Sequence, residues 1–396
     1  MAEQAVASPG FSPMRLWNDK EARSVIIQIL TMVLLVAFLA YIVTNAIANL
    51  EAIGKTFSFG FLSEPASYDI NQTLIPYTSR STHFEAAIVG LLNTLLVAVF
   101  GIVLATLLGF LLGVLRLSSN WLVNRMAYCF IEFTRNVPVL LHILLIHGII
   151  VTSLPRPKSA IDVGGTFFLS NRGFFVPSPQ FEPAFWAVFI ALLVAVAFTI
   201  GFSKYAHKVQ DQTGKHLPVS WINLGALIGL PLIVYFIAGM PLTWQIPELK
   251  GFNYAGGLVL RPEFLALWLA LSYYHASFIA EIVRAGIIAV SYGQTEASYA
   301  LGLRPNRTLS LIIIPQALRV IIPPLSSQYM NLMKNSSLAI AIGYMDLVAT
   351  IGGISLMQTG KEMETMMIVL LTYLFLSLSI SAVMNWYNQR IKLVER

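Results

Sequence analysis

The sequence predicts an all-α polytopic membrane protein with about eight transmembrane helices. Of its 396 residues, 57% are hydrophobic and only 11% are charged, and the mean hydropathy is +0.72. A soluble domain does not need so much apolar surface. Several apolar runs exceed the roughly 20 residues that cross a bilayer core. These runs are continuous rather than alternating, which excludes an outer-membrane β-barrel.

The apolar runs place the helices along the chain. The predicted spans are 25–48, 86–115, 128–151, 184–203, 221–240, 263–290, 325–345 and 365–387. The first run is long and follows 24 polar residues, so it indicates a retained span rather than a cleaved signal peptide. In the second span, Gly109 and Gly113 form a G-x-x-x-G pattern that lets another helix approach closely. Pro323 and Pro324 are predicted to break the helix before the seventh span.

The distribution of Lys and Arg predicts the orientation in the membrane. With the N-terminus inside, 14 basic residues fall on the cytoplasmic side and eight on the other side, where the loops are longer. The net charge of +6 is therefore a topology signal, not a sign of nucleic-acid binding. Both termini, with tails at 1–24 and 391–396, are expected in the cytoplasm. The single cysteine, Cys129, excludes an internal disulfide and a cysteine metal cluster.

A polar stretch at 291–319 interrupts the second half of the chain and predicts a short cytoplasmic helix over 294–303. Gln294 or Thr295 is a candidate N-cap, which would place Glu296 in the first turn, where a negative charge suits the helix dipole. Gly302 is a candidate C-cap, and Pro305 prevents continuation. The small apolar stripe on this helix buries little by itself, so we expect it to fill a groove on another protein; it consists of Ala297, Ala300 and Leu301.

This stretch resembles the EAA signature of ABC-importer permease subunits. The pattern E-A-x-x-x-x-G, followed by nine residues and I-x-x-P, is present with its full spacing; its residues are Glu296, Ala297, Gly302, Ile312 and Pro315. Ser298 stands where a second Ala is usual and Ile314 where Leu is usual. In that family this helix is the coupling helix, which docks on the cytoplasmic ATPase. The resemblance therefore implies ATPase-coupling roles for Glu296, Ala297, Ser298, Gly302 and Pro315.

The resemblance extends to four flanking segments of the polar amino-acid (histidine/glutamate-type) permeases. They are GLLNTLLVAVFGIVLATLLGFLLGVLRLS, FIEFTRNVPVL, the helix HASFIAEIVRAGIIAVSYG that leads into the EAA motif, and NLMKNSSLA. They imply a type I permease core in two parts, 86–151 and 264–390. The extra N-terminal span with its outer loop (25–85) and the inserted loops with two extra spans (152–263) are similar to the larger, general L-amino-acid permease subunits.

What the family implies about partners follows from this resemblance. The chain would work with a second, related but heterologous permease subunit, two ABC ATPase subunits and a periplasmic amino-acid-binding protein, in the bacterial inner membrane and in contact with its lipid. The sequence has no G-x-x-x-x-G-K-[ST] motif, so ATP and Mg²⁺ are expected on the partner ATPase, with no cofactor on this chain. No catalytic constellation or metal site is predicted, and no nucleic-acid partner.

Two pairs of opposite charges lie three residues apart on predicted spans. They are Glu132 with Arg135 and Glu281 with Arg284. Residues at this spacing share a helix face and can form ion pairs. One interpretation has the pairs brace the coupling helix at the cytoplasmic helix ends, and the other is static interfacial pairing.

A polar face is predicted around Lys334, near the middle of the seventh span. It consists of Asn331, Lys334, Asn335, Ser336 and Ser337. A charge in lipid costs up to ~3 kcal/mol on insertion scales, so this face must contact protein or a water-filled cavity. The hypothesis is a substrate pathway in which Asn and Ser bond both ends of an amino acid and Lys334 attracts its carboxylate. The alternative is contact between helices.

Further polar residues in the spans are weaker candidates for the pathway. They are Asn93, Thr94, Tyr273, Tyr274 and His275, each of which also fits a packing role. Two other function classes stay open. An ion-gradient-driven secondary amino-acid transporter would show internal repeats and midplane carboxylates, which we do not find. A membrane enzyme would need facing titratable groups or metal ligands, and none stand out.

Overall fold

The computed structural model describes residues 19–391, except 53 and 55. The predicted tails at 1–24 and 391–396 lie mostly outside the described residues. The helices are α1 (Lys20–Ala52), α2 (His83–Leu115), α3 (Trp121–Asn136), α4 (Val139–Ser153), α5 (Phe185–Thr213), α6 (Val219–Ile237), α7 (Pro262–Ile288), α8 (Tyr292–Ala300), α9 (Pro305–Thr308), α10 (Ile314–Asn335), α11 (Leu356–Thr359) and α12 (Glu362–Ile391). Among the described residues, seven helical stretches are long and apolar enough to cross a membrane, and the bent pair α3–α4 makes up to eight, which confirms the predicted class.

The predicted third span, 128–151, is wrong as one straight helix. Helices α3 and α4 meet at a bend of 105°. Pro138 causes the break, because proline disfavours a helical conformation in the residue before it, and Val137 is indeed extended at φ −101° and ψ 133°. At the other end of α3, the Asn120 side chain caps the helix by accepting hydrogen bonds from the next turn.

The core of the bundle is the contact between α2 and α7, and the G-x-x-x-G prediction is confirmed there. A Cβ atom on Gly109 would lie 2.5 Å from Ile279 Cγ2, and one on Gly113 would lie 2.8 Å from Ala280 O and from Val283 Cβ. Only glycine permits so close an approach of the two backbones. Helix α10 packs on α7, α2 and α12 and so completes this core.

The predicted break at Pro323 and Pro324 is also wrong. Both prolines lie inside α10, which runs to Asn335. They lack an N–H group, so the carbonyls four residues earlier, of Arg319 and Val320, lose their usual helical donor. Neighbouring transmembrane helices make such prolines tolerable. The helix ends instead at Ser336, where a 3₁₀ segment (Ser336–Ile342) begins, so the seventh span ends before the predicted 345.

Four further segments of irregular helix occur among the described residues. A π-helical turn (Leu309–Ile313) joins α9 to α10, and a second π-helical segment (Val348–Ser355) leads into α11. A short 3₁₀ turn (Gly60–Ser63) lies in the loop before α2, and another (Pro157–Ser159) follows α4.

Short strands in two distant loops form a small β layer that the sequence analysis did not predict. The strands are β1 (Ile161–Val163), β2 (Phe167–Ser170), β3 (Gly173–Val176), β4 (Ser178–Phe181), β5 (Leu242–Gln245), β6 (Glu248–Lys250), β7 (Asn253–Ala255) and β8 (Leu258–Leu260). The antiparallel order is β1-β2-β3-β8, with β4-β5 and β6-β7 as two-stranded ribbons. The pairing of β3 with β8 and of β4 with β5 joins the two loops, so both lie on one side of the bundle. We call the side opposite to α8 the outer side.

The three extra spans lie at the periphery. Helices α5 and α6 pack as a hairpin, in which Asn223 Nδ2 donates to Ser203 Oγ at 2.8 Å. No described side chain of α1 is buried, so its surface is free for lipid or for another chain.

The loop between α1 and α2 folds over the outer end of α2, the end of the π-helical segment Val348–Ser355 and the start of α12. Ser58 N donates to Glu364 Oε1 at 2.7 Å, and His83 Nδ1 lies 2.8 Å from Ser355 Oγ. The Tyr68 hydroxyl lies 3.0 Å from the same Ser355 oxygen, and burial raises the pKa of Tyr68. From Ser58 to Tyr68, this loop is therefore fixed on the helix ends by hydrogen bonds.

Candidate coupling and translocation sites

The predicted helix of the 291–319 stretch is present as α8, but it begins earlier than expected. Its bounds are Tyr292–Ala300 instead of 294–303. The prediction of Gln294 or Thr295 as N-cap is wrong, because Ser291 precedes the helix in an extended conformation and its carbonyl already accepts from Gln294 N at 3.0 Å. Ser291 itself makes no side-chain capping bond, and Glu296 lies beyond the first turn.

The end of α8 is closed as the sequence predicts. Gly302 has φ +77°, in the left-handed region that glycine adopts without strain. Gly302 N donates to Tyr299 O at 2.9 Å, and Leu303 N donates to Ser298 O at 3.1 Å. These two bonds form a Schellman motif, which satisfies the last carbonyls of the helix within the helix itself. Helix α8 therefore needs no partner to hold its shape.

The two faces of α8 differ in what they contact. Ser298 is the buried residue of the helix, and its Oγ donates to Gln294 O at 2.5 Å. The inner face packs on α9 and the π-helical turn. The opposite stripe, Ala297, Ala300 and Leu301, is exposed, and Leu301 is 81% exposed. Within the described part of the chain, the predicted apolar stripe is therefore left uncovered.

The remaining predicted coupling residues flank this helix. Glu296 is exposed on α8, and Pro315 is the second residue of α10. Gln316 Nε2 donates to Gln294 Oε1 at 3.2 Å, which ties α8 to the start of α10. A groove of about 630 Å³ separates α8 from the end of α7 and is lined by Tyr292, Tyr299 and Leu309 among others.

Both predicted ion pairs are present, with different geometry. Arg284 Nε lies 2.9 Å from Glu281 Oε2 on α7, in the last two turns before α8. Arg135 Nη1 lies 3.8 Å from Glu132 Oε1 on α3, and both side chains are more exposed. The Arg135 guanidinium also lies 5.3 Å from the centre of the Phe278 ring on α7, a cation–π contact. Each pair therefore lies along one helix, and Arg135 in addition joins α3 to α7.

The predicted polar face around Lys334 divides into two groups. Ser336 and Ser337 begin the 3₁₀ segment and bond carbonyls in the last turn of α10, since Ser336 Oγ donates to Met333 O and Ser337 Oγ to Lys334 O, each at 2.7 Å. Asn331 and Lys334 are exposed in the isolated chain. Asn335 points into the bundle. The sequence therefore predicts the face, but only part of it is open to a ligand.

Asn335 belongs to a hydrogen-bonded set that joins α10 to α7. Its Nδ2 donates to His275 Nε2 at 3.1 Å, which requires a neutral imidazole with its proton on Nδ1. That Nδ1 in turn donates to Gln328 Oε1 at 3.3 Å. His275 is 2% exposed and is the central residue of the 27-residue α7, so the set lies at half the depth of the bundle. Gln328 was not among the predicted pathway residues, although it lies three residues before Asn331 on the same helix face.

A second polar cluster contains a buried acidic residue that the sequence analysis did not single out. Asp346 is fully buried; its Oδ1 accepts from Ala349 N at 2.9 Å and its Oδ2 accepts from the Tyr373 hydroxyl at 3.2 Å. The bond to the residue three positions ahead is that of an N-cap. An Asp directly before the apolar run LVATIGG was the available signal.

Asn93 and Thr94 contact the same cluster. Asn93 Nδ2 donates to Met345 O at 2.9 Å, and Thr94 Oγ1 accepts from Leu347 N at 3.2 Å. The two side chains hold the irregular backbone beside Asp346 against α2, which is the packing role that the sequence analysis left open for them.

Known transport proteins are similar to this chain in sequence. The family model described as "Binding-protein-dependent transport system inner membrane component" matches residues 214–393. The chain is 46% identical over 387 residues to the general L-amino acid transport system permease protein AapQ of Rhizobium johnstonii, covering 98% of this chain and 96% of that one. It is 47% identical to the glutamate/glutamine/aspartate/asparagine transport system permease protein BztB of Rhodobacter capsulatus, with 98% of each chain covered.

A relative from Escherichia coli, the putative amino-acid ABC transporter permease protein YhdX, is 47% identical over 94% of this chain and 95% of its own. A crystal structure of an amino acid ABC transporter with histidines matches with a TM-score of 0.46 and 20% identity, over 78% of this chain and 95% of that one. Because the identity to AapQ, BztB and YhdX extends over the inserted segments as well as the core, the chain belongs to the permease subunits of amino-acid ABC importers, together with the general L-amino-acid permeases.

Proposed function

We propose that this chain is the permease subunit of an ATP-driven importer of L-amino acids, in which α8 docks on a separate ATPase. It would pair with a second, related permease subunit, two ATPase subunits and an amino-acid-binding protein outside the bacterial inner membrane, with both termini in the cytoplasm. ATP and Mg²⁺ would bind the ATPase. The names of AapQ, BztB and YhdX, which specify amino acids, support this substrate class.

The observation that carries the proposal is the shape of α8. The helix closes its own end with the Gly302 turn, buries one face on α9 and presents an apolar stripe that nothing in the described chain covers. A rigid, self-capped helix with a free apolar stripe fits a groove on a partner, and Leu301 is its most exposed large side chain. An apolar anchor in a partner's pocket is a common hot spot.

The test replaces that anchor. Leu301→Asp should stay folded, because the side chain contacts little in its own chain, but should weaken binding of the ATPase by more than about tenfold and remove ATP-driven uptake. Leu301→Met is the matched control and should keep both. Pull-down of the ATPase and uptake into proteoliposomes with internal ATP measure the two effects. Normal ATPase binding by Leu301→Asp would refute the docking assignment, and uptake without any ATPase would favour an ion-driven transporter.

We further propose that the solute passes the polar face of α10. Gln328, Asn331 and Asn335 lie at i, i+3 and i+7, and Lys334 lies beside them at the edge that the isolated chain exposes. A carboxylate would be attracted to Lys334, and amides can bond both ends of an amino acid. Such groups at membrane depth are expected only where they face protein or a cavity.

Lys334→Met and Asn331→Ala test the pathway. Both should raise KM for uptake, whereas Lys334→Arg, which keeps the charge, should have a smaller effect. ATPase binding is measured in parallel and should not change, because α8 lies at the other end of α10. Wild-type kinetics and selectivity in both variants would remove the pathway assignment while leaving the coupling assignment intact.

A further inference from the structure

We propose that a basic pocket on the outer side of the protein binds the headgroup of an anionic phospholipid, with phosphatidylglycerol as the matching chemistry. The pocket has a volume of about 340 Å³ and is formed by Arg156, Pro157, Lys158, Asn171, Arg172 and Phe252. The proposal concerns the inserted segment 152–263 and does not depend on the transport function.

The three cations of the pocket are free to bind an anion. None of the ion pairs found in the described part of the chain involves Arg156, Lys158 or Arg172. Arg172 Nη1 donates to Phe252 O at 3.2 Å, which holds the guanidinium in place and leaves its other donors available. Lys158 Nζ lies 4.7 Å from the centre of the Phe252 ring. Three like charges in one small pocket repel each other, and a phosphodiester would relieve that repulsion.

The pocket lies at the level of the lipid headgroups. Arg156 is the third residue after Ser153, the last residue of α4, and Asn171 N donates to Pro155 O at 2.8 Å. On the other side, β3 pairs with β8, which ends two residues before Pro262, the first residue of α7. The pocket is therefore fixed between the ends of two transmembrane helices. Phe252 is 76% exposed beside it, and an exposed apolar side chain next to cations suits the boundary between headgroups and acyl chains.

An unpaired acceptor in the pocket limits which anionic headgroups fit. Asn171 Oδ1 is buried at the pocket and has no hydrogen-bond partner. It is an acceptor and needs a donor, which a phosphodiester does not supply. The glycerol hydroxyls of a phosphatidylglycerol headgroup are donors. One ligand would therefore satisfy the cations through its phosphate, and its alcohol would satisfy Asn171 once that side chain turns toward the pocket. The same requirement disfavours an acidic protein surface, whose carboxylates are acceptors only.

The experiment uses the full chain in nanodiscs of phosphatidylcholine, into which phosphatidylglycerol is titrated and bound lipid is counted by native mass spectrometry. The triple variant Arg156→Gln, Lys158→Gln and Arg172→Gln should lose phosphatidylglycerol selectivity, by about fivefold for each cation removed. Lys250→Gln removes one positive charge from the same β layer outside the pocket and should keep the selectivity, whereas each single Gln substitution in the pocket should lower it. A triple variant that retains wild-type selectivity overturns the proposal.

Two further measurements keep the outcome decisive. Soluble glycerophosphate that binds as tightly as the lipid would overturn the lipid assignment in favour of a free anion. Loss of affinity for the amino-acid-binding protein with unchanged lipid binding would overturn it in favour of a protein contact. If the triple variant does not fold, a photoreactive benzoylphenylalanine in place of Phe252 replaces it, and cross-linking to phosphatidylcholine instead of phosphatidylglycerol contradicts the proposal.

Discussion

The contact between α2 and α7 predicts a graded response to added methyl groups. Gly113→Ala would place Cβ 2.8 Å from Ala280 O and from Val283 Cβ, atoms that belong to a backbone and to a stiff branched side chain. Neither can rotate away, so the helices must separate by about half an ångström or more to reach ordinary van der Waals contact. Overpacking of this kind costs about 1–3 kcal/mol, against a gain of about 0.5–1 kcal/mol from replacing a helical glycine by alanine. The net loss is about 0.5–2 kcal/mol.

Two other glycines provide the comparison within the same protein. Gly101→Ala would meet only atoms of the buried Leu332 side chain, the nearest being Cδ2 at 3.0 Å. This side chain has to give by only a few tenths of an ångström, so the effect should be smaller than that of Gly113→Ala. Gly148→Ala, in α4, would meet nothing within 4 Å and should be neutral or stabilising. The expected order of melting temperatures is therefore Gly148→Ala, then Gly101→Ala, then Gly113→Ala.

Intrinsic fluorescence in detergent measures this order, because the chain has seven tryptophans. Gly109→Ala, whose Cβ would lie 2.5 Å from Ile279 Cγ2, should melt with Gly113→Ala at the low end. A Gly113→Ala variant that melts at or above the wild-type temperature would contradict this expectation. It would show that an added methyl group fits between α2 and α7 without cost.

Three other predictions concern single sites. Gly302→Val places a branched side chain at a positive φ, which costs about 1–2 kcal/mol, and should lower ATP-driven uptake by about tenfold. Gly302→Asn should keep most of the uptake, because Asn tolerates this conformation. Equal uptake by the two variants would contradict the role of the turn. In a double-mutant cycle of Glu281→Gln and Arg284→Gln, thermal unfolding should give a coupling free energy of ~0.5 kcal/mol between the two side chains. This coupling should vanish in concentrated salt, which screens the charges. Absence of coupling at low salt would contradict a stabilising ion pair. Asp346→Asn keeps a capping oxygen, so its free energy of unfolding should fall by less than about 1 kcal/mol and its uptake should be unchanged. Asp346→Leu removes the cap, and its free energy of unfolding should fall by more than about 2 kcal/mol. Loss of uptake by a stable Asp346→Asn would show that the carboxylate has a role beyond capping.

The sequence predicts those features whose cause is local. Apolar runs predict the spans, the spacing of Gly109 and Gly113 predicts a close helix contact, and Gly302 followed by Pro305 predicts the end of α8. Each depends on residues a few positions apart, so no tertiary information is needed. Of the candidate site, the exposed apolar stripe of α8 and the polar face of α10 are predictable for the same reason.

The errors arise where distant contacts override a local pattern. Pro323 and Pro324 look like a break, but packing of α10 on three helices sustains the helix through them. Pro138 does break its helix, although an apolar run continues across it. The β layer forms because β3 pairs with β8, some 80 residues later, which no local pattern indicates. Gln328 was missed because its partner, His275, lies on another helix.

Helix α8 lies between α7 and α10 in the chain, and this position indicates how ATPase docking on α8 would affect the proposed substrate pathway. A Cβ atom on Gly286 would lie 2.3 Å from Ile321 Cγ1 and 3.3 Å from Ala317 O, so α7 and α10 touch backbone to side chain next to α8. From Gly286 to His275 is about 16 Å along α7, at 1.5 Å per residue. In the proposed mechanism, a pull on α8 moves both helices about this contact, and the bond between His275 and Asn335 lies across the same helix pair at half depth. Because that bond is made by one side chain from each helix, a small rotation is enough to break it. Energy input and solute passage would thus be connected through the α7–α10 contact rather than through the α8 helix alone.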